Sequence, residues 1–217
     1  MLIGRLMPVP DLHRTIAAIA LGAAARYGFA LGGANALLVH GIGDRLTEDV
    51  DLFTDQVDGV ARARDAVEVA LRSSGFTADR RGEGGSIGEH AAEWRLTADD
   101  SQQTKLRMAY SDRHNPPVQR AIGPVLDIED VVGSKVCAVV GRSATRDYID
   151  TAAALQRYTA DEVIGFARRI DPGLTDRDFA GAAWRLDDLD DAAFFRYGLS
   201  PADVAELRER FADWPRG

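Results

Sequence analysis

Residues 49–52, Asp-Val-Asp-Leu, alternate charge with apolar bulk. On a strand successive side chains point to opposite faces, so Asp49 and Asp51 share one face while Val50 and Leu52 enter a core on the other. Two carboxylates held this close raise each other's pKa unless a cation lies between them. Upstream, Gly32-Gly33 follows the short apolar run Phe29-Ala30-Leu31 and precedes the helical pattern Ala34-Asn35-Ala36-Leu37-Leu38-Val39. Any fold for this chain must therefore place a strand, a glycine turn, a short helix and a second strand in succession. The second strand must carry an acidic pair on a face that is not core.

The remaining pattern divides the chain. Apolar spacing at Leu12, Ile16, Ile19 and Ala20 predicts a helix over 10–27 that stops at Gly28. An amphipathic helix is expected over 58–76 with a stop at Gly75, followed by strands at 76–81, 89–97 and 104–111, with a glycine-rich turn over 81–88. From Asp127 the pattern turns helical. Glu129 and Asp130 favour a helix start, Thr159 with Glu162 spells a capping box, and Thr175 and Ser200-Pro201 open two further helices. The expected class is α+β: a mixed-sheet core with flanking helices over 1–123, joined near 115–124 to a helical half over 124–217 that completes the site.

At 217 residues and net charge −8 the protein is long enough for a substantial core and is not a globally basic nucleic-acid binder, although a local basic patch is compatible with this balance. The single cysteine, Cys137, excludes an internal disulfide and reads as a small core residue. No membrane span and no cleavable signal pattern is read from the sequence, which places the expected protein in the cytoplasm. Of the 26 Lys and Arg residues only Lys105 and Lys135 are lysine. His13, His40, His90 and His114 show no metal-ligand spacing with one another or with Cys137, and the three tryptophans read as core or interface residues.

Oxygen ligands alone on a rigid strand suit Mg²⁺, which keeps waters and takes phosphate oxygens from a substrate. Glycines at a strand–helix turn let phosphate approach backbone N–H groups. Together these are the equipment for phosphoryl or nucleotidyl transfer. Arg81 with Arg80, and Lys105 with Arg107, fall in the strand region and are candidates to line an acceptor groove.

The stretch "GGANALLVHGIGDRLTEDVDLF" resembles the signature of the DNA polymerase β-type nucleotidyltransferase superfamily. Its order of glycines, helix, Arg45, Thr47 and Asp49-x-Asp51 is similar to the AbiEii-type nucleotidyltransferase toxins. "GSKVCAVVGRSATRDYIDTAAAL" continues the likeness with Lys135, Arg146, Asp147 and Asp150. The resemblance implies Gly32 and Gly33 as the triphosphate turn, with Arg45, Thr47 and Asp147 beside the nucleotide. It implies Asp49 and Asp51 as ligands of Mg²⁺, as two ions, Lys135 as a phosphate contact, and Asp150 as the catalytic acid of the third motif. It also implies an NTP substrate, an RNA acceptor such as the tRNA 3′ end and a cognate antitoxin, and it allows control by phosphorylation of Thr47, whose other reading is a turn-forming residue. One departure stands out: many relatives carry a third carboxylate on a later central strand, where "TKLRMAY" has Lys105, Arg107 and Ala109, leaving Glu93 as a substitute. The alternatives are a small-molecule nucleotidyltransferase of the aminoglycoside-modifying sort, an inactive nucleotide-binding module, and a phosphotransferase moving the γ-phosphate.

Overall fold

The computed structural model describes residues 9–81 and 90–216; the expected glycine-rich turn, from Gly82 on, lies outside them. Backbone packing groups the chain into two compact units.

The first unit, Pro8–Val39 with Thr47–Asp127, holds the whole sheet. Helix α1 (Asp11–Ala24) ends through a 3-10 turn at Gly28, whose φ of 76° is the left-handed stop expected there. Strand β1 (Ala30–Leu31), helix α2 (Gly33–Val39) and strand β2 (Asp49–Thr54) follow in the expected order. Helix α3 (Gly59–Ser73) and strands β3 (Thr77–Arg81), β4 (Ala91–Thr97) and β5 (Gln103–Tyr110) come next. Strands β6 (Val118–Arg120) and β7 (Gly123–Val125) complete a seven-stranded mixed sheet ordered β3-β4-β5-β2-β1-β7-β6. Those last two strands occupy the stretch read as a connection. They are only three residues long, too short to show alternation, and β7 carries Pro124, yet Val125 aligns in parallel with Leu31.

Alternation decides the faces. Val50, Leu52, Trp94, Leu96, Leu106 and Met108 are buried, and each such side chain contributes on the order of 2 kcal/mol by leaving water. Helix α3 covers this face: Trp94 Nε1 donates to Glu68 at 3.0 Å, and Arg80 reaches Asp65 at 2.6 Å and Glu68 at 3.3 Å.

The second unit contains His40–Leu46 and Ile128–Gly217. Its helices are α4 (Ile128–Arg142), α5 (Thr145–Ala154), α6 (Ala160–Ile170), α7 (Asp176–Asp188), the short α8 (Ala192–Phe195) and α9 (Pro201–Arg210). The Thr159–Glu162 capping box forms as expected, and Thr175 and Ser200 open α7 and α9 through the same device. Gly133 lets α4 approach α6: a Cβ there would lie 2.7 Å from the Phe166 carbonyl oxygen. Tyr148, Phe179, Phe211 and Trp214 form a buried aromatic cluster. Trp184, by contrast, is 53% exposed, and Cys137 is half-buried with its thiol pushed up to about 11 by desolvation. Among the described residues no helix is long and apolar enough to cross a membrane.

Candidate functional site

In the sheet unit, β2 presents Asp49 and Asp51 half-buried on one face, with Val50, Leu52 and Thr54 buried on the other. The turn from β1 to α2 is fitted to that face. Gly32 N donates to the Asp51 carbonyl at 2.8 Å. A Cβ on Gly33 would sit 2.3 Å from Asp51 Oδ2, and Gly33 has φ +62°. A Cβ on Gly32 would meet the Phe53 ring at 2.3 Å. Both glycines are thus required by close approach to β2, and Gly33 by backbone conformation as well. The structure brings Gly33 and Asp51 together as the motif demands. Glu93 stands two strands away from Asp51, with Arg107 in register between them. Among the described residues no group of three or more His, Cys, Asp and Glu is placed to hold a metal, so the acidic set here is a pair.

A network below Asp49 escaped sequence reading. His13 of α1 lies 2.7 Å from Thr47 Oγ1 through Nδ1 and 3.0 Å from Thr104 Oγ1 through Nε2. Thr104 donates to the Glu48 carbonyl at 3.0 Å, so its oxygen accepts from His13 Nε2–H. Desolvation holds the His13 imidazole below its ordinary pKa, against the opposing pulls of Asn35 and Asp49. The Thr47 hydroxyl donates to Asn35 Oδ1 at 3.0 Å, and Asn35 Nδ2 donates to the Asp49 carbonyl at 2.8 Å. The loop hydroxyl and the β2 backbone are therefore positioned by one buried chain of hydrogen bonds. The contacts join residues 34 and 91 positions apart, so no local motif signals them.

In the helical unit, Lys135 of α4, Asp150 of α5 and Arg45 of the 40–46 loop converge. Lys135 Nζ lies 2.8 Å from Asp150 Oδ2, while Arg45 grips both carboxylate oxygens, Nε on Oδ1 and Nη2 on Oδ2, at 3.0 Å each. The Arg45 guanidinium also lies over the Tyr197 ring, 5.8 Å from its centroid. Burial drives the Asp150 pKa upward, but the Lys135 charge and the Arg45 fork outweigh it and hold the carboxyl below the usual carboxylate range. With one contact made to Asp150, the Lys135 ammonium keeps two further donors.

Asp147 stands apart. It is fully buried and both its oxygens accept from Arg142, at 2.7 Å each, which ties the last turn of α4 to the first turn of α5. Its partner is not the adjacent Arg146 of the motif.

Comparisons with known proteins bear on the family and the fold. A family model described as "Nucleotidyl transferase AbiEii toxin, Type IV TA system" matches residues 19–213. Among curated proteins no relative matches. Among solved structures, MenT4, a nucleotidyltransferase toxin from Mycobacterium tuberculosis H37Rv, superposes with a TM-score of 0.60 at 15% identity, covering 93% of this chain and 82% of that one. JHP933 from Helicobacter pylori gives 0.58 at 16% identity, covering 92% and 88%. At these identities the likeness establishes the fold.

Proposed function

The chain belongs to the AbiEii nucleotidyltransferase toxin family of type IV toxin–antitoxin systems, and from that premise we propose that it moves a nucleoside monophosphate from an NTP to a hydroxyl of an RNA acceptor, the tRNA 3′ end being the leading candidate. The observation that carries this reading is the fit between the Gly32-Gly33 turn and the paired carboxylates of β2. The two glycines pack directly on β2, where any side chain would strike Phe53 or Asp51, and so hold the turn against the carboxylate pair.

The carboxylate pair fits Mg²⁺: hard oxygen donors, two from protein, with waters and substrate phosphates to complete the shell. Asp49 and Asp51 would hold it. When bound, the ion neutralises phosphate charge and aligns the reacting oxygens. The protein's own groups position the nucleotide. Backbone N–H groups of the glycine turn meet the triphosphate, and Thr47, fixed by His13 and Asn35, presents its hydroxyl beside the pair. In the helical unit Lys135, which keeps two donors beyond Asp150, is the cation offered to phosphate, and Arg45 fixes Asp150 beside it. Asp147, engaged by Arg142, fixes the first turn of α5, the helix that carries Asp150. The acceptor hydroxyl gives its proton to water as its oxygen bonds to the α-phosphorus, the bond from that phosphorus to the α–β bridging oxygen breaks, and pyrophosphate leaves. Catalysis here is positioning plus charge compensation.

The test is incubation of the pure protein with each α-labelled NTP, Mg²⁺ and total RNA. The expected result is labelled RNA and released pyrophosphate, both abolished by a chelator. Label arriving only from the γ-position identifies a phosphotransferase, label on an aminoglycoside but not on RNA identifies a small-molecule enzyme, and nucleotide binding without pyrophosphate identifies a binding module. Lys135→Ala should weaken NTP binding and slow transfer by about a hundredfold or more, on the scale of a lost phosphate clamp. Lys135→Arg should rescue only in part, since a planar fork differs from a compact ammonium. Unchanged affinity and rate in Lys135→Ala would remove the lysine from the reaction.

A further inference from the structure

The sheet face that carries Asp49 and Asp51 continues across β5, β4 and β3, and its charge changes sign at once. In register, Asp49 lies beside Lys105, which lies beside Arg95; Asp51 lies beside Arg107, then Glu93, then Arg81. Arg81, Arg95, Lys105 and Arg107 are all exposed. Arg81 has a long contact with Glu93, 3.9 Å. Among the described residues Arg95, Lys105 and Arg107 form no ion pair. Asp79, across from Arg95, is the other acid of this stretch, so the patch is net positive within a chain of net charge −8. Arg80, considered with Arg81 from sequence, points to the opposite face and is bound there by Asp65 and Glu68.

Arg95 and Lys105 are direct cross-strand neighbours, an arrangement that costs stability because like charges face one another. Asp49 and Asp79 flank the two in register, yet among the described residues neither Arg95 nor Lys105 forms an ion pair, and a polyanion laid across both would relieve the repulsion. The cations are spaced about 7 Å apart along β5 and about 5 Å across to β4. That is a row suited to successive phosphates rather than to one small anion.

We propose that the β3–β5 face is the docking track for the acceptor strand: a single-stranded RNA whose phosphodiester backbone lies on Arg95, Lys105, Arg107 and Arg81, leading its reactive hydroxyl toward Asp49 and Asp51. This rests on the nucleotidyltransferase reading for the identity of the acceptor. The positive row running directly into the acidic pair favours RNA over an acidic protein, which would have no reason to end at that pair. Phosphate contacts position a strand without reading its bases, so the track fixes where the acceptor lies and leaves selectivity to other contacts.

The experiment measures binding of a short fluorescent single-stranded RNA by anisotropy, without NTP or metal, over a salt series. The variants are Arg95→Gln/Lys105→Gln, its charge-conserving counterpart Arg95→Lys/Lys105→Arg, and a control of equal charge loss elsewhere, Arg157→Gln/Arg177→Gln. The neutral pair should weaken RNA binding at least tenfold. It should also flatten the salt dependence by about 1.4 in slope, at roughly 0.7 per phosphate contact on a single strand. The charge-conserving pair should bind within threefold of wild type, the control likewise, and NTP affinity should not move in any of them. RNA binding unchanged in the neutral pair, an equal loss in the control, failure of the charge-conserving pair to bind, or no RNA binding by wild type at low salt each overturns the track. Because no turnover is read, failure of the enzymatic reading is seen separately: RNA held through Arg95 and Lys105 with no pyrophosphate released from any NTP would leave the track standing and remove the transfer reaction.

Discussion

The molecule contains two pairs of closely spaced aspartates, and it treats them in opposite ways. On β2, Asp49 and Asp51 stay half-buried on the sheet face, and no ion pair among the described residues involves Asp49. On α5, Asp147 and Asp150 are buried and each is met by a guanidinium fork, with Lys135 added at Asp150. A strand with period two holds its pair on one face beside a glycine turn, where a side chain on the turn would collide with the carboxylate. A helix places i and i+3 on one broad face, but here the two carboxylates find different partners, α4's last turn for Asp147 and the 40–46 loop for Asp150. On the proposed function the strand pair receives charge from outside the chain, whereas the helix pair is met by cations from within it.

The sharpest way to break this contrast is to neutralise each pair in turn. Asp49→Asn and Asp51→Asn should each reduce transfer by about a thousandfold or more, the scale expected when charge compensation at the reacting phosphate is lost. Thermal unfolding of Asp49→Asn should hardly move, because no ion pair of Asp49 is given up. Near-normal transfer by both variants, measured with α-labelled NTP, would remove the pair from the reaction.

Asp150→Asn should do the reverse in kind: a large stability loss with a secondary loss of activity. Asp150, Arg45 and Lys135 side chains are 5%, 8% and 12% exposed, so removing the anion strands two buried cations, at a cost of about 3–5 kcal/mol. Asp147→Asn should cost less, about 1–3 kcal/mol, because Arg142 is 49% exposed and water can take over its charge. Denaturant unfolding followed by circular dichroism orders the two. If Asp147→Asn were the more damaging to turnover when both variants are folded, the nucleotide-facing role would pass to Asp147.

The contrast also explains what could be read before the structure. The acidic pair, the glycines, Lys135 and the capping boxes are local patterns whose meaning depends on periods of two and 3.6 residues, and they appear where those periods put them. Beyond these, the fate of each aspartate depended on partners at a distance. Arg142 precedes Asp147 by five residues, but only the turn between α4 and α5 brings its fork to both oxygens. Arg45 reaches Asp150 across 105 positions. A solvated helix face and a buried ion pair look alike in sequence, since both are written Arg and Asp at helical spacing. Strands of three residues, such as β6 and β7, have no period to detect. The basic row on β4 and β5 required the register, which alone decides that Arg95 faces Lys105 and that Arg80 faces away.

The smallest expected effect concerns the support beneath the strand pair, and it separates the two regions by pH. Desolvation keeps His13 below its ordinary pKa of about 6.5 in the folded protein. As pH falls through 6.5 the unfolded chain takes up a proton that the buried ring refuses, so stability present above that pH is lost on the way down to the folded value. For Asp150 the folded pKa is also depressed, but from the carboxylate range, so its contribution is intact at pH 5 and disappears only in stronger acid, below about 4. Wild type should therefore lose thermal stability between pH 7 and 5 on account of His13 alone of the two. His13→Gln, which cannot titrate, should have a lower melting temperature at pH 7 through its lost hydrogen bonds, about 1 kcal/mol each, yet a flatter profile from pH 7 to 5. Transfer by this variant should fall several-fold, because Thr47 and the β2 backbone lose a common anchor. Thr47→Val should show a similar modest loss, and Thr47→Glu a much larger one from negative charge beside Asp49. Parallel pH profiles for wild type and His13→Gln would place the titration elsewhere, and equal activity of the Val and Glu variants would reduce Thr47 to a turn residue.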